Sequence, residues 1–234
     1  MSPLGVIFAL IALFGWGFGD FFIQKTTRAI GIWKVIFFIG VTALIVLFPF
    51  VKGDLFKLSF NDLIFFLVLS LIVLFAAVFD FEALKEGKLS IIEPIVGIEL
   101  PLTIILTAQI GGEVLSLPQL LAIGLVFVGI ILASTIDLFH LHYHRRFLEK
   151  GVLFALVAVL AMALINFLIG TASQQISPLL TIWLTHSLIA LMAAVYLINN
   201  GEFKNLWSDF KTYPRLIIPQ SILDNVAWVA FALA

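Results

Sequence analysis

Apolar stretches of about twenty residues recur along this 234-residue chain, separated by short polar loops. A bilayer core about 30 Å thick takes about 20 residues of helix to cross. Stretches of that length fall near residues 3–24, 32–51, 62–84, 90–110, 117–138, 151–171, 178–198 and 216–234. Lipid offers peptide groups no hydrogen-bond partner, so each span must satisfy its own backbone as a helix. A membrane β-barrel would show polar–apolar alternation, and runs such as Ile64-Phe65-Phe66-Leu67-Val68-Leu69 show none. The sequence predicts an all-α integral membrane protein, a polytopic bundle of about eight transmembrane helices.

Charge and composition narrow the function classes. Only 12% of residues are charged and 62% are hydrophobic, whereas a soluble domain carries about 25% charged residues. A net charge of −1 with no basic face gives nucleic acid nothing to bind. The absence of cysteine excludes disulfides, thiolate metal sites and cysteine nucleophiles. Met1-Ser2-Pro3 lacks the basic segment of a signal peptide, so the first stretch reads as a span. Odd-numbered loops carry eleven Lys and Arg, among them Lys25, Arg28, Lys34, Lys85, Lys88, Arg145 and Arg146. Even-numbered loops hold only Lys52 and Lys57. That asymmetry predicts cytoplasmic odd loops, an outside N-terminus and multi-pass insertion in the plasma membrane.

An internal repeat organises the spans. Residues 5–23 align without gaps on 151–169, with 8 of 19 pairs identical, including Gly5/Gly151, Phe8/Phe154, Phe21/Phe167 and Ile23/Ile169. Asp20 falls on Asn166, a polar position kept polar. Further on, Phe79-x-x-x-Ala83-Leu84 resembles Trp228-x-x-x-Ala232-Leu233. Five spans separate the two starts, and an odd number sets the second copy on the opposite side of the membrane. The expected organisation is a first repeat over 1–139, a basic linker over 140–150 and an incomplete second repeat over 151–234. Inverted repeats of this kind are typical of secondary transporters. The second copy has three spans against five, which suggests a fragment of a longer chain or a shortened protein.

Several segments carry a family resemblance: Gly15-Trp16-Gly17 in span one, Ala83-Leu84-Lys85-Glu86-Gly87, Glu93-Pro94 and Pro101, Gly112-Glu113-Val114-Leu115-Ser116 with Gln119, then Gly124 and Gly129. In order and spacing they resemble the EamA family of the drug/metabolite transporter superfamily. The resemblance implies ten helices in two inverted five-helix repeats, moving small metabolites, amino acids among them, through a central cavity. The eight spans here, and a proline spacing shifted by about one residue, depart from that pattern.

Ionisable residues within spans are costly, about 2.5–3.5 kcal/mol each at the bilayer centre on insertion scales, and so mark candidate sites. Span four holds Glu93, Pro94, Gly97, Glu99 and Pro101 within nine residues. Its prolines should break the helix and open backbone carbonyls to a cavity. Glu93 and Glu99 stand about 120° apart on an ideal helix, so only a break brings them together. Alternatively Glu93 lies at the interface and only Glu99 is deep. Span one presents Trp16, Asp20 and Gln24 on one stripe beside a close-contact face of Gly15 and Gly19. Asp20 and Gln24 could instead reach headgroups. Span eight repeats the spacing with Gln220, Asp224 and Trp228, beside Asn225; Asp224 could equally make a structural hydrogen bond.

Weaker candidates complete the set. Asn166 is a candidate through its match to Asp20. Asp80 and Glu82 could face a cavity singly or lie solvated beside Lys85 and Lys88. His186 suits a proton carrier or a satisfied core histidine. His140, His142 and His144 lack the cysteine or carboxylate partners of a metal site, and with Tyr143 and the Arg pair suit an interfacial linker. No metal or cofactor is implied.

The expected function is therefore a secondary transporter that binds lipid and a small solute and works by alternating access. A deep carboxylate such as Glu99 or Asp224 admits proton coupling, and a homo-oligomer is compatible with the sequence. No His-Glu-x-x-His, paired Gly-Asp or Ser/His arrangement points to an intramembrane enzyme. The alternative is a non-transporting scaffold or an assembly completed by a partner.

Overall fold

A computed structural model describes residues 3–112, 114–138 and 145–234, with backbone alone at 130–131, 133–138 and 145–149. Glu113 and the run from His140 to His144 lie outside the described residues, and with them the linker and metal readings. The helices are α1 (Pro3–Ile30), α2 (Ile32–Val51), α3 (Phe60–Glu86), α4 (Leu89–Val96), α5 (Glu99–Ile110) and α6 (Leu117–Leu138). They continue with α7 (Arg145–Gln175), α8 (Pro178–Asn199), α9 (Leu206–Thr212) and α10 (Pro214–Leu233). Among the described residues there is no strand. Among the described residues seven helical segments are long and apolar enough to cross a membrane, with α4 and α5 together forming one of them, Leu89–Ile110. The described apolar part of α6, Leu117–Gly129, is shorter than a span. The chain is a polytopic helical membrane protein.

The spans begin and end where local chemistry dictates. Gly31, at φ 88°, is the single residue between α1 and α2, a left-handed turn that glycine adopts without Cβ strain. Gly112, at φ 70°, follows α5 in the same way. The entry to α3 is a reciprocal cap: Ser59 N and Oγ donate to Asp62 Oδ2 at 2.8 and 2.7 Å, and Asp62 N donates to Ser59 Oγ at 3.2 Å. Ser116 and Gln119, noted for their place in the sequence pattern, meet before α6, where Ser116 N and Oγ donate to Gln119 Oε1. Two expected boundaries move. Helix α1 runs to Ile30 rather than ending at 24, and α7 spans Arg145–Gln175 rather than 151–171.

The described residues form two compact units: 1–74 with 168–234, and 75–167. In the first, α1 packs along α10 and α2 along α8, with α10 also touching α2 and α8. The buried face of α2 follows helical spacing through Ile32, Ile36, Ile39, Ala43 and Leu47, and meets Ile182, Ile189, Ala193 and Leu197 of α8. The opposite faces stay apolar and exposed, as with Ile45, Phe50, Leu191 and Ile198. That inversion suits lipid, where dispersion and close backbone approach drive helix association. Gly40 sets the approach. A Cβ there would overlap the carbonyl oxygen of His186 and stand 2.7 Å from Ala190 Cβ.

The polar anchor of this unit is Lys34. Its buried ammonium lies 2.8 Å from Asp209 Oδ2 on α9 and 3.6 Å from Glu202, a contact of charge rather than an aligned hydrogen bond. Around it Trp33 stacks on Tyr196 at 3.9 Å and Phe37 meets Phe203 edge-on. The α1–α2 turn and the segment before α10 therefore lie at one end of the unit.

In the second unit α4 packs on α6, and the end of α3 lies against α7 at Gly151 and Phe154. A Cβ on Gly151 would stand 2.9 Å from the Gly87 backbone, and Phe79 meets Phe154 edge-on at 5.9 Å. Replacing Gly40 with Val should cost about 1–3 kcal/mol by overpacking. Gly17, with open space for 4 Å around the place a Cβ would take, should accept Ala without loss. Thermal unfolding of the detergent-solubilised protein checks both, and an unchanged Gly40→Val midpoint refutes the tight crossing.

Candidate solute-binding site

The two polar stripes read from the sequence lie side by side. Gly15 packs on Ala227 and Gly19 on Leu223 and the Asp224 backbone, so α1 and α10 run antiparallel at close range. The glycine seam predicted in span one is thus the contact face with α10. Trp16 meets Trp228 edge-on at 5.2 Å and Phe231 at 5.6 Å. In this register Asp20 comes level with Asp224, and Gln24 with Gln220. Gln24 and Gln220 are buried and Asp20 is half-buried. With α1 extending six residues past Gln24, that side chain lies within the helix rather than at its end.

Asp224 is buried near the middle of α10, and His186 of α8 comes to it, Nε2 to Oδ2 at 3.6 Å. The other imidazole nitrogen, Nδ1, lies 3.1 Å from the Ile182 carbonyl one turn back. Trp228 closes the other side with its ring 6.2 Å from the histidine. Asn225 faces α2 and donates to the Ile39 carbonyl at 3.0 Å. Gln220 is fully buried, yet among the described residues neither amide atom has a hydrogen-bond partner; Ser221 Oγ and Asn225 Oδ1 also lack one. A buried polar group left unmet costs about 1–3 kcal/mol, so such a cluster marks a place for a water or polar ligand.

The second unit holds the broken span. Helix α4 ends at Val96 and α5 begins at Glu99, so the break falls between the two prolines, at Gly97 and Ile98. Pro101 explains it: it has no N–H for the Gly97 carbonyl, which Leu100 N takes at 3.3 Å instead. The break sets Glu93 on α4 and Glu99 on α5, on either side of Gly97 and Ile98. Both are half-buried. Glu99 faces Asn166 of α7. One turn along, Thr103 Oγ1 sits 2.8 Å from the Glu99 carbonyl and 3.4 Å from the Ala163 carbonyl, seating α5 on α7. Asn166 is buried, and its Nδ2 completes no hydrogen bond among the described residues.

Asp80 is buried within the same unit, which corrects the solvated reading for that residue. Glu82 takes Lys85 at 3.2 Å instead. The contacts thus gather Trp16, Asp224, Trp228 and Gln220 in one unit, and Glu93, Glu99 and Asn166 in the other. Sequence reasoning missed Thr103 and the buried Lys34 pair. A threonine in an apolar helix is an everyday residue, and Asp209 lies far from Lys34 along the chain. His186 carried a signal, a lone histidine within a span, and its partner was already a candidate.

Among the described residues no cluster of three or more His, Cys, Asp or Glu could hold a metal ion. The EamA-like transporter family matches residues 3–135. The chain is also similar to MJ1333.1, an uncharacterized protein of Methanocaldococcus jannaschii, at 26% identity over 136 residues, which cover 57% of this chain and 98% of that relative. No solved structure matches the chain. With a match that takes in more than half of its length, over a helical membrane architecture, the chain belongs to the EamA-like transporter family.

Proposed function

We propose that this chain is a secondary transporter for a small cationic or zwitterionic metabolite, such as an amino acid or a related solute, bound at the break between α4 and α5. The observation that carries the reading is the two carboxylates Glu93 and Glu99 on either side of a break in a membrane span, with the buried, unmet Nδ2 of Asn166 in the same unit. Two carboxylates at one half-buried place favour a positively charged group. The Asn166 Nδ2 is a donor suited to a carboxylate or carbonyl oxygen of the same solute. Broken helices are a common setting for such sites in transporters.

Alternating access between two inverted repeats is the expected motion. In that arrangement α1, α2 and α3 correspond to α7, α8 and α10. Exchanging the copies converts the α1–α10 pair of one unit into the α7–α3 pair of the other, and both pairs touch, α1 on α10 at Gly15 and α7 against the end of α3 at Gly151. The α2–α8 pair converts into itself. This supports the inverted reading, as does the ungapped match of 5–23 on 151–169. Odd-numbered loops face the cytoplasm of the plasma membrane in this assignment.

Glu99→Gln should lower uptake about tenfold or more, the loss expected when a charge-assisted hydrogen bond worth about 1.5–3 kcal/mol is removed. Uptake of a panel of radiolabelled amino acids and polyamines into proteoliposomes measures it. Accumulation that ignores the substitution would sink the site, and a panel that never enters would sink the transport reading. Orientation has its own test, helped by a chain without cysteine. Single cysteines at Lys57 and Lys204 should react from opposite sides with a membrane-impermeant maleimide, Lys57→Cys from outside. Labelling of both from one side would overturn the topology.

A further inference from the structure

We infer that His186 and Asp224 form a proton-binding pair that holds a single proton in the membrane interior and couples it to solute movement. The argument starts from the tautomer. Nδ1 lies 3.1 Å from the Ile182 carbonyl and 3.4 Å from Thr185 Oγ1, whose hydroxyl is placed to donate to the Thr181 and Ile182 carbonyls instead, so the tautomer with hydrogen on Nδ1 fits these partners best. In the neutral ring Nε2 is then a bare lone pair, and it faces Asp224 Oδ2 at 3.6 Å. A lone pair against a carboxylate is repulsive. One proton, on Nε2 or on the carboxyl, turns that contact into an attraction and makes the pair neutral overall.

Position makes the proton consequential. Both side chains are buried, each near the middle of a membrane-spanning helix. Release breaks the bond at Nε2 or Oδ2, sends the proton to water and leaves one net negative charge in the bundle. A cationic solute group is the natural replacement, and the unmet oxygens of Gln220, Ser221 and Asn225 on the same helix would help to hold it.

The charged groups on the packed helices do not replace the proton. On α2, Lys34 is engaged by Asp209 and Glu202 at the end of the unit. On α1, Lys25 lies over the Phe21 ring and Arg28 is exposed, while Asp20 is a carboxyl level with Asp224. On α10, Arg215 is exposed at the helix start, and on α8 Tyr196 is stacked on Trp33. The coupling role rests on the transport reading, whereas the proton binding does not.

The test needs no solute. A rapid pH jump on purified protein reconstituted in a solid-supported membrane should displace charge as the pair takes up its proton. The transient should disappear in Asp224→Asn and in His186→Gln, and persist in Asp54→Asn, which alters an exposed loop carboxylate. Infrared difference spectra over the same jump should show carboxyl and imidazole bands changing together, and Asp224→Asn should remove both. Folding of each variant is checked by its unfolding midpoint, and Asp224→Glu, which keeps the acid, should restore the transient. A wild-type protein with no transient overturns the inference. So does charge movement that survives Asp224→Asn, or that is lost in Glu99→Gln instead. Proton binding without uptake of any solute would refute transport and leave the pair standing.

Discussion

Lipid leaves a polar side chain nothing to bond to, and that deprivation organises this protein more than any attraction between its apolar surfaces. Leucine and phenylalanine lose little by facing acyl chains, and many of them here are exposed. Hydroxyls aside, the buried polar residues that must find partners inside are few among the described residues: Gln24, Lys34, Asp80, Asn166, His186, Gln220, Asp224 and Asn225. The helix crossings bring one of these groups to another, or bring two backbones close enough for small residues to interlock. The arrangement reads as a set of polar appointments kept within a sea of interchangeable carbon.

Interlocking and polar pairing depend on one another. The α2–α8 crossing is tight because Gly40 has no side chain, and the atom that fills the vacancy is the carbonyl of His186 itself. The imidazole is thereby set on a backbone with little freedom to recede. On α10 the aspartate occupies a helix pressed against α1 through Gly15 and Gly19. The 3.6 Å separation of ring and carboxylate is thus fixed by two glycine-lined seams rather than by the side chains alone. In the other unit the same logic runs through a break. Pro101 ends the regular hydrogen bonding, and the break separates Glu93 on α4 from Glu99 on α5.

Much of this is legible in the sequence because membrane helices are governed by length and apolarity, which survive inspection one residue at a time. The apolar helical character, the broken fourth helix, the Gly15–Gly19 seam and the stripes on α1 and α10 can all be read from spacing, whereas the count of spans is not settled by it. Pairings between distant residues cannot. Lys34 reads as one more loop cation, and only folding shows it withdrawn from water to Asp209. The placement of Glu99 opposite Asn166 depends on how α5 leans on α7 after the break, an angle that no local rule fixes. Helix α9 leaves no mark in the spacing, because seven residues are too few to declare a period. The ends of α1 and α7 run past the apolar stretches, since charged and polar residues that suit a loop continue the helix here.

The mirrored stripes of α1 and α10 carry a mechanical consequence. Tryptophan stands at tryptophan, aspartate at the level of aspartate and glutamine at the level of glutamine, along two helices running in opposite senses. A shift of one helical turn would set Trp228 beside Asp20 and drive Ala227 away from the one glycine able to receive it. Such a slip is penalised at every rung at once, so these helices resist sliding as a toothed rack resists it. Tilting leaves the rungs matched. The two helices are therefore held as one stiff pair, with the aspartates level along it.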